Sequence, residues 1–182
     1  MLQLTIPGYE YYDHKTGEFG CTQDTTIQLE HSLVSISKWE SKWCKPYLGK
    51  EKKTAAQYID YVRCMTITQH VNPIVYSGLT KENIKAIDEY IEAPMTATWF
   101  GERKDDPRPR KQNVITSEVI YYWMIALNIP FECQKWHLNR LLTLIRVCNE
   151  KNSPGKKRDK KAMMEQRRAL NEARRKRLNT RG

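Results

Sequence analysis

Cys133 and His137 stand four residues apart, a spacing that puts two metal ligands on one face of a helix. A zinc ion needs three or four ligands. No other Cys or His clusters with this pair, so packing plus an exposed histidine is the plainer reading and no metal is expected. His31, His70 and His137 are each able to act as a base, but no spacing ties any of them to a nucleophile. The chain has no G-x-S-x-G elbow, no G-x-x-x-x-G-K-[ST] loop and no G-x-G-x-x-G turn among its 8 glycines. The adjacent acids Asp105 and Asp106 lie in a polar stretch that nothing preorganises for proton transfer. The chemistry read here is therefore non-enzymatic, with no catalytic residue and no cofactor.

Binding chemistry is better represented. Five Trp and ten Tyr are many for this length. Trp39, Trp43, Trp123 and Trp136 are candidates for an apolar partner groove, although aromatic residues at helical spacing also serve as core. The second candidate is the basic C-terminal segment, with Arg167, Arg168, Arg174 and Arg175 as its representatives. From position 151 onward there are 13 basic and 3 acidic residues, while residues 1–150 carry 18 of each. The formal charge of +10 thus belongs to an appendage on a neutral body. Charge alone leaves three readings open: contact with nucleic-acid phosphates, docking on an acidic protein surface, or a solvated tail. No aromatic residue interrupts the charges, so base stacking is not indicated.

The elements that must hold these residues follow from periodicity. Leu2, Leu4 and Ile6 alternate, as do residues 25–31, and the turn-like Asp13 to Gly17 lies between them, so an N-terminal β-hairpin is expected. Ser32, Thr54 (with Gln57) and Thr80 are placed to cap three helices. Asn72-Pro73 and Ala93-Pro94 are breaks, and residues 95–100 are read as extended. A helix from Thr116 or Ser117 to about Leu127 is apolar nearly all round, which places it centrally in the core. Pro130 suits the first turn of the next helix, which carries Trp136, Leu141, Ile145 and Cys148, so the two form an αα-hairpin. The fold class is mainly α with a small N-terminal β-hairpin (α+β): a helical body, an αα-hairpin and a basic C-terminal helix or tail. The divisions are 1–100 for hairpin and body, 101–112 for an exposed charged loop, 113–150 for the αα-hairpin on the body, and 151–182 for the basic tail.

Length and composition exclude a collagen-like, wholly disordered or disulfide-framework chain. The five cysteines are odd in number and form no C-x-x-C, which fits reduced thiols. The first residues lack the pattern of a secretory signal. The longest uncharged apolar run, residues 119–131, falls short of the ~20 residues a bilayer needs. A soluble cytosolic protein with no membrane partner is expected.

Four stretches carry a resemblance: SISKWESKW at 35–43, IEAPMTAT at 91–98, YWMIALNIPFE at 122–132 and QRRALNEARRKRLNTRG at 166–182. They resemble proteins of tailed gut bacteriophages, and the chain is similar in particular to the tail assembly chaperones of long-tailed (siphovirus-like) phages. The resemblance implies a protein of the host cytoplasm that binds the tape measure protein and recruits tail tube subunits during tail morphogenesis; self-association as a homo-oligomer is left open. Two other functions stay open: a structural head–tail joining protein of the virion, and a nucleic-acid-binding protein acting through the basic tail.

Overall fold

The computed structural model describes residues 1–13, 17–98, 100, 114–152, 164, 167–172 and 174. The expected charged loop at 101–112 lies outside the described residues. The chain divides into two compact units, Met1–Arg146 and Val147–Gly182.

The first unit opens with β1 (Leu2–Ile6), β2 (Glu10–Asp13), β3 (Glu18–Cys21) and β4 (Thr25–Leu29). β1 pairs antiparallel with β4, Leu2 opposite Leu29 and Ile6 opposite Thr25. Alternation then buries Leu4, Ile6, Ile27 and Leu29 on one face. The hairpin expected from sequence is this pair, but its connection is more than a turn. β2 and β3 form a second antiparallel pair inside it, Glu10 opposite Cys21. At its base the Thr22 amide donates to the Tyr9 carbonyl at 2.9 Å. Gln28 and Glu30 then tie the main sheet to residues 65–67: the Ile67 amide donates to the Gln28 carbonyl at 2.8 Å, and the Glu30 amide to the Met65 carbonyl at 2.9 Å.

α1 (Leu33–Trp43), α2 (Ala55–Met65) and α3 (Lys81–Glu92) begin where the capping residues placed them. Ser32, Thr54 and Thr80 each close a reciprocal cap with the residue three positions on. α1 stops at Cys44, whose φ of 50° is left-handed and ends the helical ladder before Pro46. The break at Asn72-Pro73 opens a short 3-10 helix, Pro73–Gly78, with the Asn72 side chain accepting from the Ile74 amide. Gly78 is required there. A Cβ at this position would lie 2.7 Å from the Tyr9 ring, whose hydroxyl donates to the Ile74 carbonyl at 2.7 Å. Residues 95–98, read as extended, join no strand, and Met95 has a left-handed φ of 49°.

α4 (Ser117–Ala126) forms as expected but is not central. Ser117, Ile120 and Met124 are buried, while Tyr122 and Ile125 are 66% and 61% exposed. Among the described residues α4 packs chiefly on α1, and apolar composition does not bury its opposite face. The next helix also differs from expectation. Residues Phe131–Lys135 wind as a 3-10 turn, and α5 (Leu138–Asn152) starts only after Trp136 and His137. The cause is tertiary. Ser32 and His137 form an isolated bridge, and the Leu138 amide donates to the His31 carbonyl at 2.7 Å, so the chain is extended where a continuous helix would have run. The simple αα-hairpin is therefore replaced by helix, 3-10 turn, bridge and helix.

The core of the first unit gathers Leu33, Ile36 and Trp39 of α1, Tyr61, Val62 and Met65 of α2, Ile87 of α3, and Leu138 and Leu141 of α5. The architecture is mainly α with a small N-terminal β region. In the second unit, Met164, residues 167–172 and Arg174 are helical and exposed.

Candidate partner-binding site

The four tryptophans chosen for a groove have separate fates. Trp39 is 2% exposed and its indole N–H donates to the Gln57 carbonyl at 2.9 Å. It is a core residue and offers no surface. Trp43 stacks on it with centroids 6.2 Å apart and is half-buried, its indole donating to Asp60 Oδ2 at 2.9 Å. Trp123, on α4, is half-buried. Trp136 is half-buried after the second 3-10 turn, with the Arg140 guanidinium 4.2 Å from its ring centroid. Trp39 and Trp43 are thus brought together inside the α1–α2 packing.

The exposed apolar surface lies elsewhere in the same unit. Tyr122 and Ile125 are three apart on α4 and share its outer face. Phe131, 53% exposed, follows in the 3-10 turn, its ring 6.5 Å from that of Tyr121. Tyr122 and Ile125 belong to the helix expected to be central in the core, which is why spacing does not reveal them as surface.

Arg167, Arg168 and Arg174 of the basic segment are helical and exposed; Arg175 lies outside the described residues. Leu170, 58% exposed, and Met164, 65% exposed, accompany them.

Buried polar groups were also hidden from sequence spacing. His31 and His137 sit with ring centroids 5.1 Å apart, 2% and 6% exposed. His31 Nδ1 meets the Tyr61 hydroxyl at 2.5 Å. His137 Nε2 lies 2.9 Å from the Tyr90 carbonyl, so that nitrogen carries the proton and Nδ1 accepts from the Asn139 amide at 3.3 Å. Burial, then the charge His137 would bring, pushes His31 down to about 3. Burial also lowers His137, against the opposing Tyr90 carbonyl. Both rings are therefore neutral near pH 7 and structural in what they touch. Cys133, once paired with His137 by spacing, lies in the 3-10 turn rather than on a shared helix, and no group of three or more metal-ligating side chains occurs among the described residues.

Asp60 gathers Lys42, the Trp43 indole and, at 3.9 Å, Arg63. Burial pushes its carboxyl up, but the bonds from Lys42 and Trp43 outweigh this and hold it below its ordinary value. Nearby Cys64 is half-buried. Burial and then Asp60 push its thiol up against Lys42, Lys38 and Arg63, so it is not an activated thiolate. All five cysteines are free thiols. No helix among the described residues is long and apolar enough to cross a membrane.

No family model, no curated protein and no solved structure matches the chain.

Proposed function

We propose that the chain is a non-enzymatic binding protein of the host cytoplasm that acts as a phage tail assembly chaperone. It holds the tape measure protein and recruits tail tube subunits. The observation that supports this reading is the solvent-facing apolar patch of Tyr122, Ile125 and Phe131. Exposed apolar surface on a folded body marks a contact site for another apolar surface, and a long amphipathic helix presents its anchors at the i, i+3 and i+4 spacing such a patch can receive. The exposed arginines of the second unit supply a second, electrostatic contact, and tethering two modest contacts raises the effective concentration of one partner beside the other.

Co-purification from phage-infected cells, set beside purified virions, tests the reading. A tape measure or tail tube partner, with this protein absent from virions, is the expected result. Abundance in virions would replace it with the head–tail joining role. Recovery of nucleic acid alone, lost steeply with salt, would replace it with nucleic-acid binding.

A further inference from the structure

α1 and α2 enclose a second surface, distinct from the outer face of α4. Two clefts of about 400 and 390 Å³ share Lys38, Cys64 and Thr66 in their walls and so form one continuous groove. Lys38 and Lys42 lie four apart on α1 and therefore on one helix face. Arg63, from α2, lines the first cleft, and Lys135, from the second 3-10 turn, lines the second.

The cations are not equivalent. Lys42 and Arg63 already face Asp60. Among the described residues, neither Lys38 nor Lys135 has a carboxylate partner. Glu30, the acid in the second cleft, is engaged by the Tyr90 hydroxyl at 2.7 Å and by the Met1 amino group at 3.2 Å. The uncompensated charge in the groove is therefore positive and sits at Lys38 and Lys135. The apolar surface that the second cleft offers is Val34, half-buried, and Ile67, 50% exposed; Met65 in its wall is 1% exposed and belongs to the core.

A ligand that matches both features needs anionic groups alternating with apolar ones. Phosphate chains supply the charge but leave the apolar lining unmatched. Of the two aromatic rings in the first cleft, Tyr76 is 4% exposed and only the His70 imidazole is open to solvent, so the cleft has no series of ring faces for successive bases to stack on. A peptide in extended form, with side chains alternating between acid and aliphatic, supplies both. We propose that this groove binds an extended acidic segment of a partner protein, with carboxylates on Lys38 and Lys135 and an aliphatic side chain on Val34 and Ile67.

Cys64, shared by both clefts, is a built-in reporter. The full chain is treated with a maleimide, with and without a synthetic peptide of alternating Glu and Leu, and labelling of each cysteine is followed by mass spectrometry. Peptide at ten times its Kd should slow labelling of Cys64 by about tenfold. Cys21 and Cys44, exposed outside the groove, should be unaffected. Protection should be lost in Lys38→Glu and in Lys135→Glu, both at exposed positions, and with a peptide carrying Gln in place of Glu. It should survive reversal of Arg167, Arg168 and Arg174, which weakens binding by the basic segment. Failure of the peptide to protect Cys64, protection unchanged in both lysine variants, or equal protection by the Gln peptide would overturn the proposal. So would an oligonucleotide that protects Cys64 as strongly as the peptide.

Discussion

The Glu40 carboxylate, buried on α1, accepts the Ser117 backbone N–H at 2.7 Å through one oxygen and the Tyr47 N–H at 2.7 Å through the other. Thr116 makes no side-chain cap on α4, so a residue 77 positions earlier supplies the acceptor that the first turn lacks. A negative charge at a helix start is also favoured by the helix dipole. One carboxylate thus fixes both the end of α1 and the start of α4.

Replacing Glu40 with Ala should strand two buried donors, at a cost of about 2–4 kcal/mol. Gln should also destabilise, because its NH₂ faces one of the two N–H groups while its oxygen accepts the other. Urea unfolding of the two variants beside wild type checks this. Equal stability of all three would show that water replaces the carboxylate without loss.

The His31–His137 pair predicts acid sensitivity. The folded state holds His31 near 3, against 6.5 when unfolded. The unfolded chain therefore takes up the proton first. Stability should be level above about pH 7 and fall as pH drops below 6.5, by ~1.4 kcal/mol per unit from His31, with His137 adding in the same sense. His31→Leu should lessen that slope while lowering stability at neutral pH through loss of the His31–Tyr61 hydrogen bond, which leaves the Tyr61 hydroxyl only the longer contact to Ser35 Oγ at 3.5 Å. Denaturant midpoints at several pH values measure both effects.

Asp60 titrates in the opposite sense. Its folded carboxyl is held below the ordinary 3.8, so its contribution is present above that value and lost as pH falls beneath it. Asp60→Asn should cost about 1–2 kcal/mol at neutral pH, given that Lys42 is largely exposed. The gap between variant and wild type should close in strong acid, where wild type is protonated too. A gap that persists there would assign the effect to packing.

The tryptophans and the α4 face separate folding from binding. Trp39→Ala should cost about 3–5 kcal/mol, as expected for a buried ring, so any loss of partner binding in that variant reports unfolding. The double replacement of Tyr122 and Ile125 by Ala should change stability by no more than about 0.5 kcal/mol. It should weaken capture of a tape measure helix by tenfold or more, as removal of central apolar anchors does. Pull-down at matched thermal stability compares the two.

What could be read from the sequence divides along a physical line. The β1 and β4 strands and the caps at Ser32, Thr54 and Thr80 are local patterns, and they form where the pattern stands. The β2–β3 pair escaped notice because Glu10 to Asp13 shows no alternation of apolar and polar side chains, only tyrosines between acids. The helix start at Leu138, rather than near Pro130, is decided by the bridge to Ser32, some hundred positions away. The same holds for function. The composition of α4 identifies it as apolar, but which of its faces is exposed is set by its docking on α1. The groove beside Lys38 draws on α1, α2 and a 3-10 turn, and no spacing rule links Lys38 to Lys135.

The register of β1 against β4 sets Ile6 directly opposite Thr25, so the chain leaves the sheet and returns to it at the same rung. Everything between is an excursion closed at its base by Tyr9 and Thr22. The parent sheet keeps its alignment whatever the length of that excursion. A change of length in that excursion therefore leaves the pairing of β1 with β4, and the helical body behind it, unchanged.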